Sequence, residues 1–300
     1  MKYSDQVATA TGQYRDSLPD TLFDHKLKVL TVELRGQVFH GSGVLYQATD
    51  NLVWVLTAAH NLHVWANNDM NSKHEDLADD FINDVKVRIL PRHKEAREYP
   101  IESIKLHDGK AKCGYDVCAV SIRSDALAGD VRKLLENNSG GPFRLAESDN
   151  DGTSTLLLKA DVADWVASQN QLANYAIVQF GYGKDPSDKY HRHWRALKWQ
   201  DLKNAATKPA YLQSAREKGN QTYLDVLTFP SSDDTSTTTP GDSGGPAFLI
   251  EKAQNYYHVR LLGLTLGANY FGNRVAGDNE ETSNNAITVL SQERLNVVFG

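Results

Sequence analysis

Gly241-Asp242-Ser243-Gly244-Gly245-Pro246 is the stretch on which the reading of this chain turns. A serine hydroxyl is a poor nucleophile near neutral pH and needs a base within hydrogen-bond reach to take its proton. Glycines on both sides of Ser243 let the backbone turn tightly, and Gly241 is free to leave its N–H facing solvent. The N–H groups of Gly241 and Ser243 are then natural donors to charge developing on a carbonyl oxygen. Removing one such donor costs about 100-fold or more in rate. Ala247-Phe248-Leu249-Ile250 follows as an apolar strand. A shorter GxSxG reads equally well as a glycine-rich turn between strands; the full hexad favours a nucleophile.

A base is needed, and Thr57-Ala58-Ala59-His60 supplies the candidate. It follows Val53-Trp54-Val55-Leu56, an apolar run that reads as a buried strand. At a strand end, beside two small residues, the His60 ring is free to swing toward Ser243. His63 lies close by, but no carboxylate or cysteine cluster accompanies the pair, so no metal site is expected. The third group must be a carboxylate that fixes the imidazole tautomer and stabilises the imidazolium. Asp116, in Gly114-Tyr115-Asp116-Val117-Cys118-Ala119-Val120-Ser121-Ile122, stands at the head of an apolar strand, which predicts a half-buried position at a barrel rim. That strand, and its place between His60 and Ser243, set it apart from the other acidic residues.

With Gly41-Ser42-Gly43-Val44-Leu45, Val178-Gln179-Phe180-Gly181-Tyr182-Gly183 and Leu262-Gly263-Leu264-Thr265-Leu266-Gly267 falling in sequence around these motifs, the chain resembles the chymotrypsin/trypsin-fold serine protease family. The matches span residues 28–300, and TAAH and GDSGGP are the specific ones. The resemblance implies an all-β fold of two antiparallel six-stranded β-barrels, with helical insertions and a C-terminal helix. Residues 1–27 form an extension, the first barrel covers 28–125, the second 150–290, and the helix 290–300. It implies His60 as base, Asp116 as its orienter, Ser243 as nucleophile, and Gly241 with Ser243 as oxyanion donors. Counting back from Ser243 places Thr237 at the floor of the primary specificity pocket. Thr265, Leu266 and Gly267 are expected in one wall and Asn285-Ala286-Ile287-Thr288 in another. Without an acidic floor, a neutral side chain of small to medium size is the expected preference, although Asp233, Asp234 and Asp278 lie in loops that can reach the pocket. No cofactor is expected; the implied partner is a protein or peptide substrate.

Departures from the family pattern are informative. Asn61 follows His60, and Thr239 stands before the serine motif, where secreted members carry disulfide cysteines. The only cysteines, Cys113 and Cys118, flank Asp116 and are badly placed to bridge if 115–120 is a strand. A chain of 300 residues buries a full core without staples, and two unpaired cysteines fit a reducing compartment. Met1-Lys2-Tyr3-Ser4-Asp5-Gln6 lacks the apolar core of a signal peptide, and no run approaches membrane-span length. A cytoplasmic protein is expected, with secretion after loss of a signal as the alternative. No Ile/Val-Gly-Gly terminus precedes Leu30-Thr31-Val32-Glu33-Leu34, yet Asp242 is retained. A buried carboxylate needs a cation or several donors. An internal Arg or Lys and a site formed only on binding an activating partner both remain open.

The net charge of −6 argues against nucleic acid as a bulk partner. Lys189-Tyr190-His191-Arg192-His193-Trp194-Arg195-Ala196-Leu197-Lys198-Trp199 is the local exception, read as a twisted surface hairpin with buried aromatic stems. Residues 67–84 read as an acidic helix or loop, 124–140 and 200–219 as polar helical insertions at the surface, and 291–299 as a closing helix. Three functions compete: a regulated intracellular endopeptidase, a pseudoprotease or binding module that keeps only the fold, and a serine esterase. The esterase elbow joins a strand to a helix, whereas Ser243 lies between apparent strands.

Overall fold

The structure, a computed structural model, describes residues 29–36, 39–62, 83–89, 95–106, 116–135, 156–158, 175–184, 190, 193–197, 226–230, 238–253, 256–268 and 284–300. The first half forms one antiparallel sheet from β1 (Thr31–Arg35), β2 (His40–Ala48), β3 (Leu52–Thr57), β4 (Lys86–Ile89), β5 (Arg97–Pro100), β6 (Ser103–Leu106) and β7 (Cys118–Arg123). The strand order is β5-β4-β1-β2-β3-β7-β6. β2, β3 and β7 are buried on both faces over most of their length, which is why β3 and most of β7 read as apolar runs.

The two edge strands are halves of one bent segment. β5 pairs with β4 and β6 with β7, and only Ile101 and Glu102 separate them. Ile101 N–H donates to the Val85 carbonyl at 3.4 Å, and Glu102 N–H donates to the Ser121 carbonyl at 2.8 Å. Adjacent residues thus bond to opposite ends of the sheet, which curls it round. The expected six strands are seven here because Pro100, which has no N–H to give, ends β5 and the chain bends into β6.

Among the described residues the second sheet has the order β10-β9-β12-β13-β14-β11, with β8 against β13, seven strands where six were expected. Its members are β8 (Leu156–Leu158), β9 (Tyr175–Gly181), β10 (His193–Leu197), β11 (Val226–Pro230), β12 (Pro246–Ala253), β13 (Tyr256–Ala268) and β14 (Asn284–Val289). β13 is long enough, at 13 residues, for β14 and β8 to pair with different stretches of it while β12 pairs with residues 256–264, which gives the extra strand its place. The stretch 189–199, read as a surface hairpin, instead supplies a single strand, β10, which pairs with β9. The expected all-β architecture of antiparallel sheets with few helices is present.

Among the described residues two helices cover the first sheet. In α1 (Asp125–Leu134) the Ser124 hydroxyl caps the first turn, accepting from Leu127 N–H at 3.3 Å. Leu127, Ala128 and Val131 are buried against β2 and β3, so this helix is a lid on the core rather than the surface insertion its polar sequence suggests. The closing helix α2 (Gln292–Phe299) is capped by Ser291 and buries Leu295 and Val298. Phe299 meets Trp54 edge-on at 5.4 Å, and the Lys105 ammonium donates to the Phe299 carbonyl at 2.7 Å, a cation at a helix C-terminus. The last residues of the chain therefore pack on the first sheet, while β2 touches β9 and β12 where the sheets meet.

Candidate active site

His60 lies in a 3-10 turn (Ala59–Asn61) directly after β3. Asp116 enters β7 one strand away, and both its oxygens are directed to this histidine. Oδ1 accepts His60 N–H at 2.8 Å, and Oδ2 lies 2.5 Å from Nδ1. Asp116 is fully buried rather than half buried at a rim, because the 3-10 turn itself closes over the carboxylate. The His60 ring keeps 21% exposure. Burial of the ring disfavours the imidazolium, but the Asp116 charge and hydrogen bond favour it more, and the His60 pKa is raised above the ordinary histidine value. With Nδ1–H donating to Asp116, Nε2 is the atom left with a lone pair for base chemistry.

The hydrogen bonds of residues 239–245 follow a simple pattern. Thr239 N–H donates to Asp242 Oδ2 at 2.9 Å. Asp242 N–H donates to the Thr239 carbonyl, Gly244 N–H to the Thr265 carbonyl, and Gly245 N–H to the Asp242 carbonyl, at 2.7–3.0 Å. Pro240 has no N–H. Gly241 and Ser243 are left, and among the described residues their N–H groups carry no hydrogen bond. Backbone donors in a buried turn are nearly always satisfied, so two open ones separated by a single residue stand out. The carbonyls explain their direction. Pro240 C=O accepts from Lys184 N–H at 3.0 Å, and in a trans peptide the N–H of Gly241 points the opposite way. The same relation turns Ser243 N–H away from the Gly245-bound carbonyl of Asp242.

Glycine is required at two points of this turn. Gly241 has φ +101°, and a Cβ there would press into the Tyr190 ring and the Tyr182 carbonyl. Tyr190 in turn stacks on His40 with ring centroids 3.4 Å apart, and His40 pairs with buried Glu33 at 2.8 Å. Gly244 has φ +81°, and a Cβ would run into the Ser42 carbonyl, the Thr57 hydroxyl and Ala58 N. Since Gly244 N–H is already held by Thr265, the backbone has no room to yield. Gly244→Ala is therefore expected to cost about 3–5 kcal/mol, from left-handed strain and overlap together. Thermal unfolding should show a fall in Tm of roughly 10 °C; an unchanged Tm would mean the turn relaxes freely.

Ser243 is half buried, and its Oγ donates to the Leu266 carbonyl at 3.2 Å. Leu266 sits at a bulge between Thr265 and Gly267, where β13 loses register with β14. Thr265 is the residue before that bulge. It is fully buried, its hydroxyl donates to the Gly245 carbonyl at 3.0 Å, and it accepts from Gln179 Nε2. Its role is to brace the turn from beneath. Gly267 pairs with Ala286 across the β13–β14 edge. Thr237, Cys113, residues 1–27 and 200–219, and Asp233, Asp234 and Asp278 lie outside the described residues. Cys118 is a free, buried thiol whose pKa is pushed well up by burial and by the Asp116 charge, which makes it inert.

Thr239, Ser42 and Asn61 were given no role in the site by the sequence. Thr239 holds the Asp242 carboxylate through its N–H and its hydroxyl, at 2.9 and 3.4 Å. That carboxylate lies against Gly181 and Gly183, where side chains would overlap it. Ser42 and Asn61 reach the turn from the first sheet. Asn61 was noted only as the residue standing where the resemblance implies a cysteine.

No protein-family model matches the chain, and no curated protein matches it. Among solved structures, the chain is similar to the scabies mite inactivated protease paralogue S-I1, at 17% identity, covering 89% of this chain and 92% of that one, with a TM-score of 0.44. It is also similar to a Glu endopeptidase in complex with MPD, at 11% identity, covering 93% and 94%, with a TM-score of 0.45. The scabies mite inactivated protease paralogue S-D1 shares 12% identity over 88% of each chain, with a TM-score of 0.44.

Proposed function

We propose that this chain is a serine endopeptidase that hydrolyses peptide bonds through an acyl-enzyme intermediate, with Ser243 as nucleophile, His60 as general base and Asp116 as its orienter. The observation that carries this reading is the pair of open N–H groups at Gly241 and Ser243, in a turn whose other donors are all taken, beside a histidine held by a buried carboxylate. A glycine-rich structural turn has no need to leave those two donors open.

In this reading Ser243 Oγ turns about its Cα–Cβ bond from the Leu266 carbonyl toward His60. Oγ attacks the substrate carbonyl carbon as its proton passes to Nε2. The carbonyl π electrons move onto oxygen, and that oxyanion accepts from Gly241 and Ser243 N–H, where preorganised donors act most strongly. The imidazolium, stabilised by Asp116, then gives its proton to the leaving amine as the C–N bond breaks. Water repeats the sequence on the acyl ester, with His60 again as base, and frees Ser243.

The test is covalent labelling by a fluorophosphonate probe, with mass spectrometry to locate the adduct. The expected adduct is on Ser243, and its rate of formation has a sign in pH. His60 must be neutral to accept the proton, so labelling rises as pH increases through the His60 pKa. Because that pKa is raised, the acid limb should have its midpoint above about 6.5. No adduct, or an adduct on another residue, would overturn the assignment.

A further inference from the structure

We propose that Ser42 and Asn61 are positioning residues that clasp the nucleophile turn from the first sheet, an inference that rests on the proteolytic reading above. Ser42 on β2 is fully buried and uses all its polar groups on this junction. Its hydroxyl donates to the Gly241 carbonyl at 2.6 Å and accepts from Tyr182 N–H at 2.7 Å. Its N–H donates to the Ser243 carbonyl at 2.8 Å, and its carbonyl accepts from the Thr57 hydroxyl at 2.6 Å. Asn61 completes the circuit: Nδ2 donates to the Ser243 carbonyl at 2.7 Å and to Thr57 Oγ1 at 3.0 Å. Gly41 makes room for it, since a Cβ there would lie 2.5 Å from Asn61 Nδ2.

The physical need for the clasp comes from glycine. Gly241 rotates freely in isolation, so the direction of its N–H is set only by what holds the peptides on either side. Lys184 N–H holds the preceding carbonyl and the Ser42 hydroxyl holds the following one. Without Ser42, one of these two anchors is gone and the donor samples orientations that miss the oxyanion. Asn61 acts on the other reacting group. It is the residue after His60, and its bond to the Ser243 carbonyl ties the main chain of the nucleophile to the turn that carries the base. Neither side chain touches the reacting atoms; both act through Gly241 and Ser243.

The experiment uses the full chain with Ser42→Ala, which removes one oxygen, and separately Asn61→Ala. Saturation kinetics with the fluorophosphonate probe are measured across pH and well below each variant's Tm, with amide hydrogen exchange at Tyr182 as an independent report on the clasp. In each variant the limiting labelling rate is expected to fall about 10- to 100-fold, since a donor or nucleophile displaced by about an ångström forfeits that much. Probe affinity should be unchanged. In Ser42→Ala the acid limb should keep its midpoint, because the His60–Asp116 pair is untouched, and Tyr182 should lose protection. A wild-type chain that takes no label overturns the proteolytic reading and this inference with it. A wild-type chain that labels, with folded variants labelling equally fast, overturns the clasp alone. If Ser42→Ala does not fold, the same comparison on Asn61→Ala decides.

Discussion

Replacing Ser243 by alanine is expected to lower hydrolysis of an unfolded protein substrate by about a million-fold while leaving the fold intact. Removing the nucleophile of a serine hydrolase has an effect of about this size, because the remaining groups have nothing to acylate. The structure gives two reasons why the loss should be purely chemical. Oγ makes one hydrogen bond, to the Leu266 carbonyl at 3.2 Å, so its removal costs about 1 kcal/mol or less. The main-chain groups of Ser243, bonded to Ser42 and Asn61, survive the substitution. The variant should still offer both N–H donors and bind substrate. Turnover of a fluorogenic denatured protein, measured beside Tm, checks both halves. A fall of less than about 100-fold would mean that another group does the chemistry, since losing a single oxyanion donor already costs that much.

Asp116→Asn is the second large effect, and here the structure specifies the mechanism of the loss. Asp116 accepts two bonds from the same residue, His60 N–H on Oδ1 and the ring on Oδ2. An asparagine must keep its oxygen toward the main-chain N–H, because that donor cannot change. Its NH2 is then forced against Nδ1, which must accept. The ring proton moves to Nε2, the atom that should receive the Ser243 proton. A trapped tautomer of this kind costs about 10,000-fold in rate. Losing the carboxylate charge also removes what raises the His60 pKa, so the residual activity should have its acid limb at lower pH. Labelling rates across pH measure both; a variant with wild-type rate would show that Asp116 orients nothing.

Much of the site was legible because its chemistry is written locally. The hexad 241–246 encodes its own turn: two glycines at φ +101° and +81° take conformations that other residues adopt only under strain. The apolar run before His60 and the one after Asp116 became β3 and β7, paired directly with Thr57 opposite Cys118, and this pairing brings histidine and carboxylate together. The closing helix that the resemblance implies over 291–299 is α2 (Gln292–Phe299), capped by Ser291.

Sequence alone named the residues of the proposed chemistry and set them at the ends of strands, because nucleophile, turn and base are given by residue type and by patterns a few residues long. Only the tertiary structure decided how those residues are held. Ser42 and Gly241 are 199 positions apart, and Asn61 and Ser243 are 182. A serine in a strand and an asparagine after a histidine look like ordinary polar residues until the fold sets both against one turn. Folding also buried Asp116 completely and turned one bent segment into both edges of a sheet. Those outcomes depend on which surfaces meet when the two halves close, and no local pattern encodes a meeting between distant strands.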